Sequence, residues 1–255
     1  MGIKPGSTAA IGRTLRVLDE MVRGGGQVEP MAERLGLPVS TAYRQVAALV
    51  EQGCLVRISG RRYAPGPRLL ALLAQIDPRQ IVVDLAGPTL DRLARDVQAI
   101  VQLGTLEQGM VTYRAKAGRA SARLFTKVGM QLEAYCSAVG KVLLAHLPDE
   151  QLDTYLANGP FVALTATTIT DPLRLRAELD AVRARGFAVD DNEVADGLYC
   201  LAMPLHLANG SVQIGISVSR PTAMARRQGD EQVLSELARA VREIESGLGA
   251  VGPFA

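Results

Sequence analysis

Three glycine breaks, Gly24-Gly25-Gly26, Gly36 and Gly53, divide the first 53 residues into pieces too short for anything but small helices packed on one another. Glycine costs about 1 kcal/mol in a helix interior and readily adopts the positive φ that ends one, so each break is a stop signal. The first piece begins near Ala9 and places Ile11, Leu15, Leu18 and Val22 at helical spacing, with Arg13, Arg16 and Arg23 on the outer surface. The second, from Val28 or Glu29 to Leu35, turns Met31, Ala32 and Leu35 inward and carries Pro30 in its opening turn, where a missing N–H is harmless. The third runs from Leu37 to Gln52, has Pro38, Ser40 and Thr41 in its opening turn, and repeats Ala42, Val46, Leu49 and Val50. With a tight turn between the second and third helices, this is a helix-turn-helix pattern.

Cys54 to Ile58 and Tyr63 to Pro65 then read as two short strands around the basic turn Ser59-Gly60-Arg61-Arg62. A helix-turn-helix followed by such a hairpin is a winged helix. Reading duplex DNA requires a narrow element with base-edge donors for the major groove and cations for the phosphates. Ser40, Thr41, Tyr43, Arg44 and Gln45 occupy the first two turns of the third helix, and Arg61 and Arg62 tip the hairpin. Charge follows the same division: residues 1–75 hold ten of the 28 Lys/Arg and five of the 26 Asp/Glu, so they are net +5 while residues 76–255 are net −3. An arginine-rich turn is also an ordinary solvated surface, and small helical units also serve as scaffolds; the order of helices, turn, polar helix and basic hairpin favours nucleic acid.

The chain has 255 residues and is 48% hydrophobic, enough for one large domain or two modest ones. Its apolar runs fall well short of the roughly 20 residues that span a bilayer, so no membrane partner is expected. Three scattered cysteines, Cys54, Cys136 and Cys200, form no CxxC pair, and with no secretory leader they suggest a reducing, cytoplasmic setting. Leu69 to Ala74 is an apolar run, and a long helix is expected from Gln80 or Ile81 to about Val97, kinked or divided at Gly87-Pro88. The domain organisation expected is 1–74 for the DNA-binding head, 75–98 for a linker helix and 99–255 for a larger domain. In that domain, Ala99–Leu106 and Met110–Ala115 read as a hairpin, and Leu132–Leu147 as an inward-facing helix preceded by a loop. Leu173–Arg185 reads as an amphipathic helix. Phe187–Asp190, Tyr199–Leu207 and Ser211–Ser219 are strand candidates, the last two joined by the tight turn Leu207-Ala208-Asn209-Gly210, and Asp230–Ser246 is a final helix. Hairpins mixed with helices indicate an α+β fold rather than a doubly wound sheet.

Catalysis has little support in these residues. Cys200 lies between apolar neighbours, as buried structural cysteines do, and His146 and His206 have no spacing motif that would make either a base. The same residues with Cys136 show no metal-ligand spacing. Gly140-Lys141 is not a phosphate-binding loop, because Tyr135 occupies the position of the first glycine in GxxxxGK. No catalytic residue, metal or cofactor is expected. Asp190, Asp191 and Glu193 form an acidic cluster that suits a solvated turn, a cap or a pocket edge, while Ser217 and Ser219 share one face of their strand.

Several stretches, in order, resemble the IclR family of bacterial transcription regulators. They are Leu35-Gly36-Leu37-Pro38-Val39-Ser40-Thr41-Ala42-Tyr43-Arg44, Leu49-Val50-Glu51-Gln52-Gly53, Gly140-Lys141-Val142-Leu143-Leu144-Ala145, Val182-Arg183-Ala184-Arg185-Gly186-Phe187, Asp190-Asp191-Asn192-Glu193 and Gly197-Leu198-Tyr199-Cys200-Leu201-Ala202. The resemblance implies a winged helix, a linker helix and a GAF/PAS-like effector-binding domain. It also implies a homodimer or homotetramer on a partly palindromic double-stranded operator, since one recognition helix makes too few base contacts for genomic discrimination. By position it places the effector site at Ala138, Val139, Gly140, Lys141, Asp190, Cys200, Ser217 and Ser219, for metabolites such as glyoxylate, pyruvate or aromatic acids. Asp190 would repel a carboxylate unless it receives a hydroxyl proton or lies at the far rim, which favours a hydroxy acid or another two-ended polar effector. Tyr135 departs from the histidine common in the family and leaves two readings open, enclosing a ring or filling the core. The function expected is a transcription regulator controlled by a small organic acid; the alternatives are a constitutive DNA-binding protein and a small-molecule enzyme with a DNA-binding appendage.

Overall fold

A computed structural model describes residues 5–118, 126–207 and 210–249, and the chain divides into two compact units, one up to Asp77 and one from Pro78.

The first unit packs α1 (Pro5–Arg23), α2 (Val28–Arg34) and α3 (Val39–Glu51) around Val17, Met21, Val28, Met31, Ala32, Ala42, Val46 and Leu49. The inward stripe of α1 is Val17 and Met21, one turn apart, with Leu18 half-buried beside them. Ile11, Leu15 and Val22, expected to face inward, are exposed. This helix carries apolar residues on more than one side, and only the side that meets α2 and α3 is covered, a choice that spacing alone cannot make. Strands β1 (Leu55–Arg57) and β2 (Tyr63–Pro65) pair antiparallel, with Leu55 opposite Pro65, and form the hairpin expected there. The Tyr63 N–H donates to the Gly26 carbonyl at 2.8 Å, tying the hairpin to the α1–α2 turn. The apolar run after the hairpin is a helix, α4 (Pro67–Leu73), opened by Pro67.

The second unit is built on one six-stranded sheet, antiparallel throughout, in the order β5-β4-β3-β8-β7-β6. The strands are β3 (Ile100–Glu107), β4 (Met110–Ala117), β5 (Gln131–Glu133), β6 (Ala188–Asp191), β7 (Leu198–His206) and β8 (Val212–Pro221). Alternation sorts their side chains to two faces. Val101, Leu103, Leu201, Leu205, Ile214, Ile216 and Val218 meet α5 (Pro78–Asp96) and α10 (Glu231–Gly249). The other face carries Val111, Tyr113, Cys200 and Ala202 under α6 (Ala138–Ala145), with α7 (Asp149–Ala157) and α8 (Pro172–Arg185) outside it. A short helix, α9 (Thr222–Gln228), follows β8. The mixture of helices and antiparallel hairpins is the one expected.

Two readings need correction. The stretch Leu132–Leu147 is not one helix: Gln131–Glu133 pair with β4, and the helix begins only at Ala138, where the N-cap Ser137 accepts the Gly140 N–H at 3.1 Å. The pairing partner lies some twenty residues upstream, so local apolar periodicity does not reveal it. Helix α5 is not divided at Gly87-Pro88, because the residue before the proline is a glycine with no Cβ to clash with the ring. The expected turn at 207–210 falls partly on Ala208 and Asn209, which lie outside the described residues; on either side, Leu207 N–H donates to Ser211 O and Gly210 N–H to Leu207 O. Among the described residues no helix is long and apolar enough to cross a membrane.

Candidate functional site

The sheet face under α6 brings together residues far apart in sequence. Register sets Asp190 opposite Cys200 and Cys200 opposite Ser219, a polar row across β6, β7 and β8; one step along, Ala202, Ser217 and Gln102 form a second row across β7, β8 and β3. Gly104 and Gly215 face each other across β3 and β8, and a Cβ on either would lie about 3 Å from Val139, so the pair makes the depression that seats the first turn of α6. Gln102, Asp190, Cys200, Ser217 and Ser219 from these rows line an enclosed cavity with Tyr113, Thr126, Leu132 and Ser137. Its free volume is about 10 Å³, room for about one water and no more.

Of the residues expected at the effector site, Ala138, Val139, Asp190, Cys200, Ser217 and Ser219 line this cavity, whereas Gly140 and Lys141 do not. Gly140 packs where a Cβ would be 2.1 Å from the Ala134 carbonyl oxygen. Lys141, 1% exposed, turns to a hydrogen-bonded ion pair with Glu193 and lies 3.5 Å from Glu178. Sequence reasoning missed Gln102, Tyr113 and Thr126. A glutamine in the middle of the apolar run of β3 was the available signal: Gln102 is buried and donates from Nε2 to Thr126 Oγ1 at 2.9 Å.

Burial controls the electrostatics. Asp190 is 1% exposed, and removal from water pushes its pKa up to about 7, against the opposing backbone donors and Lys141. Its Oδ1 accepts the N–H groups of Glu193 at 2.7 Å and Val194 at 3.3 Å, which fixes the turn after β6. The Asp190 carboxyl therefore carries a proton for part of the time near neutral pH and is no fixed barrier to a carboxylate ligand. Cys200 donates from its thiol to Ser219 Oγ at 3.2 Å, and burial raises its pKa well above the ordinary thiol value; burial also pushes Cys136 up to about 12. Both thiols are thus protonated at neutral pH, the unreactive form. His146 and His206 approach edge to face at 6.1 Å between ring centroids, and His206 Nδ1 lies 2.9 Å from Glu245.

On the first unit, Ser40 and Arg44 are exposed on α3, Thr41 and Gln45 are half-buried, and the Tyr43 hydroxyl donates to Glu29 Oε1 at 2.5 Å, bracing α3 against α2. Arg61 and Arg62 are both exposed on the turn of the hairpin. Gly60 and Arg61 take positive φ of 71° and 62° there. Arg62 reaches back to the Gly25 carbonyl at 3.4 Å, and the charge of Arg61 is felt at Glu29 and Tyr43, so hairpin tip and α3 belong to one surface.

A helix-turn-helix unit with a basic hairpin, in one chain with an α/β unit that closes over a polar cavity, defines a class: helix-turn-helix proteins that carry their own small-molecule sensor. Residues 75–246 match the family described as bacterial transcriptional regulator IclR C-terminal, and residues 10–59 match the IclR helix-turn-helix domain. The chain belongs to the IclR family and is a DNA-binding transcription regulator with an effector domain. It is similar to the HTH-type transcriptional regulator BhcR of Paracoccus denitrificans, with 30% identity over 95% of this chain and 88% of that protein. Among solved structures it resembles the Thermotoga maritima IclR, with a TM-score of 0.63 and 28% identity over 95% of this chain and 99% of that one. It also resembles an IclR homolog from Microbacterium hydrocarbonoxydans complexed with 4-hydroxybenzoate, with a TM-score of 0.64 and 26% identity over 94% and 99% of the two chains.

Proposed function

We propose that a small organic acid, held in the cavity between the sheet and α6, sets the affinity of this regulator for a two-fold operator in the cytoplasm. The observation that carries the reading is the convergence of the Ser217 and Ser219 hydroxyls, the Gln102 amide and the convertible Asp190 carboxyl on one enclosed space. Hydroxyls and an amide can donate to a carboxylate, and Asp190 can accept from a ligand hydroxyl, so a hydroxy acid satisfies both ends. The similar protein complexed with 4-hydroxybenzoate supports that class of ligand. The fold around the cavity is then a GAF/PAS-like sensor.

The contracted volume supplies the coupling. An organic acid fits only if lining side chains such as Thr126 and Leu132 give way, so acid-bound and acid-free forms differ in structure, and an effector with unequal affinity for the two shifts their balance. Ser40, Thr41, Arg44 and Gln45 read bases, Tyr43 braces the reading helix, and Arg61 and Arg62 meet phosphates. A homodimer or homotetramer presents two such surfaces to the operator.

Calorimetric titration with a panel of carboxylic and hydroxy acids tests the site. Saturable binding by at least one acid, weakened about tenfold by Ser217→Ala, is expected for a lost hydrogen bond to a charged group. Equal affinity in the Ser217→Ala protein, or no binding by any acid, contradicts the assignment.

A further inference from the structure

A second, more open cleft lies on the effector unit beside the helix end of the first cavity, and the two share no lining residue. On β5, Leu132 lines the enclosed cavity and Glu133 the open cleft, the alternation expected of neighbouring strand residues. The cleft holds about 570 Å³, within the roughly 300–1,000 Å³ usual for small-molecule sites. Three aromatic rings form part of its wall. Phe161 lies between Tyr135, at 4.9 Å and 46°, and Tyr155, at 5.6 Å and 26°. The Tyr135 hydroxyl donates to the Val162 carbonyl at 2.7 Å, which fixes the ring against the segment that carries Phe161.

The charge lining is one-sided. Glu133 is the only ionisable acid or base at neutral pH among the lining residues; no lysine, arginine or histidine accompanies it, and among the described residues Glu133 forms no ion pair. Its negative charge reaches the phenols of both Tyr135 and Tyr155, whose ionisation burial already opposes. Ring faces present negative potential, and a carboxylate without a partner adds to it. An anion would find no donor cation here, and a neutral apolar molecule would leave Glu133 facing it unpaired.

We propose that this cleft binds a small organic cation, a substituted amine or quaternary ammonium compound with an apolar body, its charge between Glu133 and the half-buried rings of Tyr155 and Phe161, with the buried Tyr135 ring backing Phe161. The site is chemically the inverse of the enclosed cavity, which suits a carboxylate. Because the segment from Glu133 to Ser137 borders both spaces, a cation paired with Glu133 can bias the position of Ser137 and Ala138 in the first cavity.

The test is calorimetry on the full chain with choline and phenyltrimethylammonium, against 3,3-dimethylbutan-1-ol, the uncharged isostere of choline. Saturable binding of a cation is expected, with the isostere weaker by about tenfold or more. Glu133→Gln and Phe161→Leu should each weaken cation binding by about tenfold, and since Glu133 is only half-buried, its variant should keep the parent melting temperature. Ser217→Ala should leave cation binding unchanged, which separates this site from the acid-binding cavity. Equal binding of the isostere, undiminished cation binding in both variants, or no saturation by about 10 mM overturns the proposal. A shift in oligomeric state on Glu133→Gln without cation binding in the parent also overturns it and marks the cleft as a contact between copies.

Discussion

Asp190 carries the clearest pH signature in the chain. Its folded pKa, about 7, lies above the ordinary value of 3.8 because burial penalises the charged form. A group raised in this way supports the fold fully below its unfolded pKa and loses that support as pH rises through the folded value. Asp190→Asn keeps the acceptor for the Glu193 and Val194 N–H groups and cannot ionise. Its melting temperature should therefore gain on the parent as pH rises from about 4 to about 7 and hold that gain above, by the equivalent of up to about 4 kcal/mol. A gain independent of pH would show that Asp190 is not buried in its charged form. Lys141 makes a second case: it and Glu193 are 1% and 8% exposed at the side chain, and Glu193 Oε2 has no hydrogen-bond partner. Lys141→Met leaves that carboxylate without its cation and should cost roughly 3–5 kcal/mol in denaturant unfolding. Loss of effector affinity without loss of stability would instead place Lys141 at the ligand. Some of this was legible and some was not. Ser217 and Ser219 follow from alternation on a strand, and the same alternation marks Gln102 as the polar exception on β3. The inward ion pair of Lys141 was not legible, because Glu193 lies 52 residues away and only the packed sheet brings the two together.

At the scale of elements, α3 and the hairpin should separate by what they read. Arg44 is exposed near the middle of α3, and Arg44→Ala should weaken specific operator binding about tenfold or more while leaving binding to scrambled duplex nearly unchanged. Arg61→Ala should weaken both alike and lower the slope of log affinity against log salt by about one. Competition binding at several salt concentrations checks the pair, and a change of sequence preference confined to Arg61→Ala would reverse the assignment. The helix-turn-helix was readable because its stops are glycines, whose effect is local. The phase of α1 was not, since Ile11 and Leu15 repeat at helical spacing as well as Val17 and Met21 do, and the covered stripe is chosen by α2 and α3. The strand inside Leu132–Leu147 was hidden for the same reason: β5 exists through its pairing with β4, while its own residues carry no strand signal.

The whole molecule joins a basic unit to a sensing unit in a chain whose total charge is only +2, so the polyanion-binding character of the first is invisible in the average. The two kinds of variant should divide cleanly between the units. Arg44→Ala should change operator affinity with unchanged acid binding, and Ser217→Ala should change the acid response with unchanged affinity for operator in the absence of acid. The central claim is that acid binding in one unit alters DNA binding by the other. Fluorescence-anisotropy titration of labelled DNA from upstream of the gene for this chain and its neighbours, against scrambled duplex, with and without saturating acid identified by calorimetry, tests it most directly. Specific binding whose affinity shifts by about 5- to 150-fold when the acid is present is the expected result. Specific binding with the same affinity at saturating acid would contradict it and leave a DNA-binding protein that does not respond to its ligand.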